Sequence, residues 1–292
     1  MVKAIKIPTN LKEEYPFNPK TIELKNGHTM SFVDEGTGPV VIMVHGNPTW
    51  SFYYRNVIKT LQSDFRVIVP DHLGCGLSDK PQDYDYTLEN HIGNLLELLE
   101  DLGIKEYNLI VHDWGGAIGM GLATRNPENV LKTVILNTAA FTDDTIPTTI
   151  NICKNSFFGE WLVRKFNAFA WPATFMAVKK PLSSIIKSGY LLPYDSYENR
   201  IATARFVKDI PMDKKHPTWD VLKDIEEKLP TLKCPKLLLW GEKDFCFSMH
   251  FFKRWKNIYP DALNITYPKA GHYILEDERE EVNLEIGNFL RG

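Results

Sequence analysis

Residues 107–116 read Tyr-Asn-Leu-Ile-Val-His-Asp-Trp-Gly-Gly, and this stretch decides the fold class. Its first half is an apolar run that is typical of a buried strand. The small residues that follow, up to Ala123, are typical of a helix that packs close to a sheet. A strand, a sharp turn and a helix form the layout of a nucleophile elbow. Glycines suit this turn because its backbone is strained and lies close to its neighbours.

Asp113 stands where the usual motif, Gly-x-Ser-x-Gly, has its serine, and Val111 stands at the first glycine position. A carboxylate is ionised at neutral pH, so it can attack carbon without a base to activate it. The residue therefore indicates displacement at an electrophilic carbon through a covalent ester. The alternative is an aspartate that ends a strand and caps the next helix. Other parts of the chain have to separate these two interpretations.

Composition limits the classes of protein that this chain can belong to. Its 292 residues suffice for one large domain, or for a core domain with an insertion. The formal net charge of −3 provides no basic footprint for nucleic acid. The four cysteines are scattered, which suits a reducing compartment, and no His or Cys cluster has metal-ligand spacing. The first 20 residues lack a signal-peptide core, and no apolar run approaches the ~20 residues of a membrane span. We therefore expect a cytoplasmic protein without metal or cofactor.

Strands alternate with amphipathic helices along most of the chain. An Asn26-Gly27 turn between two alternating runs predicts a β-hairpin. Later apolar runs predict buried parallel strands, and residues 88–102 and 275–290 predict helices. The pattern indicates an α/β fold with a mostly parallel central sheet. The predicted strands are residues 21–24, 29–33, 40–44, 66–69, 108–111, 133–136, 236–241 and 263–267.

The alternation stops between residues 138 and 212. Prolines divide this stretch into short helices, and we predict a helical cap there, inserted into a core of residues 1–137 and 213–292. Most of its aromatic side chains should pack within the cap. A few should line an apolar pocket, because ligands bind at the carboxyl ends of the strands in such sheets. The aromatics are Phe141, Phe157, Phe158, Trp161, Phe166, Phe169, Trp171, Phe175, Tyr190, Tyr194, Tyr197 and Phe206.

Three further features lie where a nucleophile at Asp113 needs them. The loop after the strand 40–44 can lend a backbone N–H to an oxyanion hole, and the residue after the nucleophile lends the other; these donors are Asn47 and Trp114. His272 follows the last strand and is the predicted base. Asp244 follows the preceding strand and is the predicted acid that orients the imidazole.

The remaining polar candidates rank lower. The other position for the acid is Asn137, which cannot carry the charge, and Glu242 is a weaker alternative to Asp244. His45 and His112 flank the predicted site and are expected to bond nearby backbone, while His72 belongs to a shaped loop.

Taken together, these motifs resemble the haloalkane dehalogenases of the α/β-hydrolase superfamily over nearly the whole chain. The resemblance implies an α/β-hydrolase fold with a helical cap, Asp113 as nucleophile, His272 as base and Asp244 as acid. It also implies that the side chains of Asn47 and Trp114 hold the leaving halide. The stretches that carry it are residues 45–50 (His-Gly-Asn-Pro-Thr-Trp), 70–78 (Pro-Asp-His-Leu-Gly-Cys-Gly-Leu-Ser), 112–116 and 271–272.

The chain also resembles the β-lactone decarboxylases of bacterial olefin biosynthesis. Cap segments 137–141, 166–169 and 189–195 carry this second resemblance. It implies the same catalytic residues, a long-chain alkene and carbon dioxide as products, and assembly with other enzymes of the olefin pathway. A carboxylate that leaves a strained lactone needs the same anion-stabilising donors as a halide.

The leading prediction is an enzyme of the haloalkane dehalogenase type that acts on a small apolar substrate, with lactone decarboxylation as the alternative. An epoxide hydrolase ranks third and would need two cap tyrosines, for which Tyr190, Tyr194 and Tyr197 are available. A receptor without catalysis is the alternative of another class. It has no need for Asp113, Asp244 and His272 together.

Overall fold

The computed structural model describes residues 5–155 and 158–292. Its central sheet has eight strands in the order β1-β2-β4-β3-β5-β6-β7-β8. The two pairings of β2 are antiparallel and all the others are parallel. The strands are β1 (Lys20–Glu23), β2 (Thr29–Glu35), β3 (Val40–Val44), β4 (Arg66–Pro70), β5 (Tyr107–Asp113), β6 (Val130–Thr138), β7 (Lys236–Gly241) and β8 (Leu263–Tyr267). The mostly parallel sheet that the sequence predicts is confirmed.

Both faces of the sheet are covered, which explains why its central strands are continuous apolar runs. Successive side chains point to opposite faces, so Ile42 and Val44 of β3 enter one core while Val41 and Met43 enter the other. Helices α2 and α3 pack together, as do α1 and α12. The core helices are α1 (Arg55–Leu61), α2 (Leu88–Asp101), α3 (Trp114–Arg125), α9 (Trp219–Lys228), α10 (Met249–Ile258), α11 (Ile274–Asp277) and α12 (Arg279–Arg291).

In the described residues, five short α-helices lie between β6 and α9, and we call this segment the cap. They are α4 (Thr148–Asn155), α5 (Gly159–Phe166), α6 (Ala170–Met176), α7 (Ser184–Leu191) and α8 (Ile201–Lys208). All five lie within residues 138–212, the range in which the sequence predicts a cap, and the division of the chain into cap and core stays a prediction. Phe157, one of the cap aromatics named above, lies outside the described residues, as do the first four residues of the N-terminal stretch.

One predicted helix, residues 275–290, is two helices. The chain leaves helical geometry at Glu278, where φ is −129° and ψ is 49°, between α11 and α12. Glu276 and Asp277 of α11 are buried and bind groups from other parts of the chain. Asp277 accepts the backbone N–H groups of Lys179, Lys180 and Gly271. This short helix therefore joins the cap to the loop after β8, which an uninterrupted amphipathic pattern does not reveal.

Candidate active site

Asp113 ends β5 and directly precedes α3 in a sharp turn. Its φ of 54° and ψ of −132° are strained for a residue with a side chain. The neighbouring backbone approaches so closely that two glycines are required. A Cβ at Gly46 would collide with the Asp113 side chain, and one at Gly115 would collide with the backbone of Val44. The turn thereby pushes the Asp113 carboxylate out of the sheet, towards the cap.

The carboxylate of Asp113 is buried and held by directed donors. The backbone N–H of Asn47 donates to its Oδ1 at 2.6 Å, and the Trp114 backbone N–H also binds it. His272 Nε2 lies 3.4 Å from Oδ2. Burial opposes ionisation, but the hydrogen bond and positive charge of His272 outweigh it and lower the pKa of Asp113. Asp113 is therefore an anion, and these donors fix the positions of its two carboxylate oxygens.

His272 lies between two carboxylates. Its Nδ1 is 2.8 Å from Asp244 Oδ2, and its Nε2 faces Asp113. Burial disfavours the imidazolium, but the negative charges of Asp244 and Asp113 raise the pKa of His272 to about 10. The ring is therefore positively charged at neutral pH. The structure thus brings together the three residues that the sequence predicts to be catalytic.

Asn137 holds Asp244, a relation that the sequence analysis missed. Its Nδ2 donates to Asp244 Oδ2 at 2.9 Å, and its Oδ1 accepts the Gly241 N–H at 2.8 Å. The backbone N–H of Cys246 donates to the other Asp244 oxygen at 2.6 Å. The signal was available, because Asn137 and Asp244 lie near the carboxyl ends of neighbouring parallel strands, β6 and β7. Glu242 is exposed and accepts the Thr266 hydroxyl instead.

The side chains of Asn47 and Trp114 line the same cavity above Asp113. The indole N–H of Trp114 has no hydrogen-bond partner in the described part of the chain. Asn47 Nδ2 donates to the Thr203 carbonyl of α8 at 3.1 Å, a contact that the sequence does not predict. One of its two amide hydrogens remains for another acceptor. Its Oδ1 is buried without a partner.

The other three histidines that the sequence analysis singled out bond nearby backbone. His45 Nδ1 lies 2.8 Å from the Gly46 carbonyl oxygen, and its Nε2 accepts the His72 N–H. His112 Nε2 lies 2.9 Å from the carbonyl oxygen of His272. Burial lowers the pKa of His45 and of His112 to about 3, so both are neutral. His112 therefore positions the loop that carries His272.

Two mostly apolar cavities meet at Asp113. The first has a volume of about 120 Å³ and extends past Trp114, Phe141 and Val207. The second has a volume of about 180 Å³ and extends past His272 and Met176. The residues that line both are Asn47, Asp113, Ile150, Phe169 and Cys246. Apart from Asn47 and Asp113, the sequence analysis named none of these as a site residue, because Ile150 and Phe169 belong to the cap and Cys246 to a loop.

Groups that could hold a metal ion were sought among His, Cys, Asp and Glu side chains. Within the described ranges, no three of them are arranged to do so. Nor does any helix in these ranges have the length and apolar character needed to cross a membrane.

Comparison with known proteins places the chain among hydrolase-fold enzymes. Residues 39–154 match a family model described as alpha/beta hydrolase fold. A cis-3-alkyl-4-alkyloxetan-2-one decarboxylase of Shewanella oneidensis is 47% identical over 91% of this chain and 86% of its own length. Haloalkane dehalogenase 2 of Mycobacterium tuberculosis is 30% identical over 93% of this chain and 94% of its own length. The crystal structure of haloalkane dehalogenase DbeA from Bradyrhizobium elkani superposes with a TM-score of 0.88 at 25% identity, covering 94% and 98%.

Proposed function

Because this chain belongs to the α/β-hydrolase family that includes the oxetanone decarboxylases and the haloalkane dehalogenases, we propose that it decarboxylates β-lactones with two alkyl branches. The products are an alkene and carbon dioxide. Identity with the Shewanella oneidensis decarboxylase is 47%, against 30% with the dehalogenase. This function is the alternative that the second sequence resemblance implies.

The observation that carries the proposal is the pair of apolar cavities that meet at Asp113. A 3,4-dialkyl lactone has one polar, strained ring from which two alkyl branches diverge. With the ring at Asp113, each cavity takes one branch. Each methylene that leaves water contributes about 0.8 kcal/mol to binding. A haloalkane with a single chain would fill only one of the two cavities.

Asp113 supplies the electrons for ring opening. One of its oxygens attacks C4 of the lactone, the C4–O bond breaks, and the ring carboxyl is freed as a carboxylate on C3. The C2–C3 bond then breaks and its electron pair forms the C3=C4 bond. As this happens the bond from C4 to Asp113 breaks, which restores the Asp113 carboxylate and releases carbon dioxide. Inversion at C4 followed by anti elimination converts cis branches into a cis alkene.

The donors around Asp113 stabilise the charge that the first step creates. Asn47 and Trp114 line the first cavity, and we expect the Trp114 indole N–H and the remaining Asn47 amide hydrogen to bind the carboxylate as it is freed. The His272 imidazolium, held by Asp244, lies beside it. Preorganised donors of this kind are each worth about 3 kcal/mol in the barrier.

Haloalkane hydrolysis is the second candidate, and the arrangement of His272 favours it. A base positioned by Asp244 is what water needs when it attacks an ester on Asp113. The lactone route consumes no water and requires no base. Asn47 and Trp114 would then hold the departing halide, as the first resemblance implies.

The other two alternatives have less support. An epoxide hydrolase needs tyrosine hydroxyls aimed into the cavity, but Tyr190 donates to Glu276 and Tyr194 to the Thr49 carbonyl. Tyr197 stacks against Arg164, and none of the three lines either cavity. A receptor without catalysis is disfavoured because the similar proteins are enzymes.

A parallel assay of the purified protein tests the proposal. It is incubated with a cis-3,4-dialkyl β-lactone, a bromoalkane and an epoxide, and alkene, bromide and diol are measured. We expect alkene from the lactone and none from Asp113→Asn. The matched control is Asp143→Asn, which also removes a carboxylate from the first cavity, although this one is bound to Arg254. Bromide without alkene would contradict the proposal and support the second candidate.

His272→Ala separates the two routes within one protein. On a bromoalkane the variant should release about one bromide per molecule and then stop, with an alkyl group on Asp113 visible by intact mass. On the lactone it should continue to turn over, more slowly by about a hundredfold because one stabilising charge is lost. A ring-opened lactone left on Asp113, with no alkene released, would instead mean that decarboxylation also needs His272.

We also propose that the protein acts in the cytoplasm, next to the enzymes that make its lactone. The four cysteines are free in the structure, which suits a reducing compartment. Fractionation of the producing cells, followed by mild affinity purification, tests both statements.

A further inference from the structure

Five of the large apolar side chains of the cap that face solvent form one group. They lie on α5 and α6 and are between 37% and 61% exposed: Trp161, Phe166, Trp171, Phe175 and Met176. Two edge-to-face pairs, Trp161 with Phe166 and Trp171 with Phe175, order them. Exposed apolar patches of this kind mark interaction sites.

The same part of the chain is basic. Residues 161–194 contain five Lys and Arg and no Asp or Glu. Lys165 on α5 and Lys179, three residues after α6, are exposed. Lys180 is also exposed and pairs with Glu278 at 2.9 Å. Residues 138–212 contain nine basic and six acidic residues, which is a formal net charge of +3. The rest of the chain contains 25 basic and 31 acidic residues, which is a formal net charge of −6. The apolar patch therefore lies in the most positive part of the protein.

The patch also borders the opening of the second cavity. Met176 and Phe245 line that cavity and are themselves 37% and 40% exposed. Pro172 and Ala173 of α6 line it from the inside, while Trp171 and Phe175 of the same helix face outwards. An apolar molecule that enters or leaves this cavity thus passes along the exposed aromatic side chains.

We propose that residues 161–180, which we call the aromatic face, bind the surface of a lipid bilayer that contains anionic headgroups. Tryptophan favours the boundary between headgroups and acyl chains, where its ring is buried and its N–H stays hydrated. Lysines at the edge of the patch attract the anionic leaflet, at about 1 kcal/mol each near the surface. The mouth of the second cavity then opens towards the acyl chains, in which long-chain apolar molecules dissolve.

Charge argues against a second copy of the chain as the occupant. Two aromatic faces in symmetric contact would bring Lys165 and Lys179 of both copies together, with no acidic residue in 161–194 to neutralise them; only Lys180 has an acidic partner, Glu278. An anionic lipid surface is complementary to both features of the face. This binding does not depend on which substrate Asp113 attacks.

Sedimentation with vesicles tests the proposal. The full-length protein is mixed with vesicles of phosphatidylcholine containing one-third phosphatidylglycerol, or of phosphatidylcholine alone, at low and high salt. We expect binding to the anionic vesicles that weakens with salt. The double variants Trp171→Gln/Phe175→Gln and Lys165→Glu/Lys179→Glu should each bind at least tenfold more weakly. The matched controls, Leu284→Gln (57% exposed on α12) and Lys253→Glu on α10, should bind like the wild type.

Three results would overturn the proposal: no sedimentation with anionic vesicles, equal losses in the controls, or a lipid-free dimer that the aromatic-face variants dissociate. The last would make the face an interface between copies. Lactone or haloalkane turnover in detergent should be normal in these variants, because none of the substituted residues lines a cavity. Failure of lipid binding is therefore distinguishable from failure of the proposed function.

Discussion

Asp113 and His272 form a buried pair of opposite charges, and the chemistry starts from this ionised state. Each charge stabilises the other: His272 lowers the pKa of Asp113, while Asp244 and Asp113 raise that of His272 to about 10. If Asp113 is the nucleophile, as we propose, its negative charge disappears when it becomes an ester. One of the two anions that sustain the imidazolium is then lost, so the pKa of His272 falls. On this proposal the histidine becomes a base only after the intermediate has formed.

The pKa of His272 also makes stability depend on pH. The folded-state pKa of about 10 lies above the ordinary 6.5, so the native protein retains a proton that the unfolded chain has lost between these values. The stabilisation is complete below pH 6.5 and decreases by up to about 1.4 kcal/mol per pH unit until pH 10.

Urea unfolding of the wild type and of His272→Gln at several pH values measures this effect. We expect the free energy of unfolding to fall more steeply from pH 7 to 10 in the wild type than in His272→Gln. Tyrosines and lysines titrate in both proteins, so the difference between the two slopes belongs to His272. Parallel curves for the two proteins would mean that His272 is neutral in the resting site.

At the scale of elements, a buried ion pair joins α1, α11 and the cap. Arg55 donates two hydrogen bonds to Glu276, at 2.6 and 2.9 Å, and both side chains are at most 1% exposed. Tyr190 of α7 donates to the same carboxylate at 2.5 Å. Burial disfavours the charge of Glu276, but Arg55 outweighs it and lowers the pKa of this carboxyl. The pair positions α11, and with it the loop that carries His272.

Removing one partner should therefore be costly. Arg55→Met removes the buried cation beside Glu276 and leaves the partly exposed Arg279, at 3.2 Å, as its ionic partner. The free energy of unfolding should fall by about 3 kcal/mol. Arg55→Met combined with Glu276→Leu should recover much of this loss, because no charge remains buried. The exposed pair of Arg291 and Asp64 is the control, and Arg291→Met should cost at most about 1 kcal/mol. Urea unfolding of the four proteins measures these differences, and equal costs for Arg55→Met and Arg291→Met would contradict the interpretation.

At the scale of the whole molecule, sheet topology brings the site together and the cap shapes it. β5, β6 and β7 are parallel neighbours, so Asp113, Asn137 and Asp244 meet at one edge of the sheet. The cap closes over this edge and contributes Ile150 and Phe169 to both cavities. We therefore infer that the core supplies the reactive groups and that the cap determines which substrate shapes fit. The boundaries of the cap at residues 138 and 212 remain a prediction.

Filling one cavity at a time should separate the two branches of the substrate. Ile146 lines only the first cavity and Ala173 only the second. Ile146→Trp and Ala173→Trp are compared on two cis lactones, one with its long branch at C3 and the other at C4. Each variant should lose kcat/KM by about tenfold or more on one of the two lactones, and the affected lactone should differ between the variants. The loss follows from about 0.8 kcal/mol of binding free energy for each methylene that the tryptophan excludes. The same loss on both lactones for both variants would mean that the cavities do not bind separate branches.

The sequence alone determined the features that depend on residues close together in the chain, such as strand bounds and turns. Apolar runs predicted β3, β7 and β8 with their observed bounds, and residues 107–116 predicted the elbow, because strand and turn preferences are local. The chain order of Asp113, Asp244 and His272 then selected three residues that lie together in the structure.

Only the tertiary structure decided how distant segments meet. Asn137 reaches Asp244 across 107 positions in the chain, and the Asn47 amide reaches the Thr203 carbonyl across 156. The break at Glu278 and the two cavities also depend on contacts between the cap and the core. Periodicity reports which face of an element is buried, not which distant side chain packs against it. The direction of a polar group and the shape of a cavity are set by such partners, so they emerge only when the chain has folded.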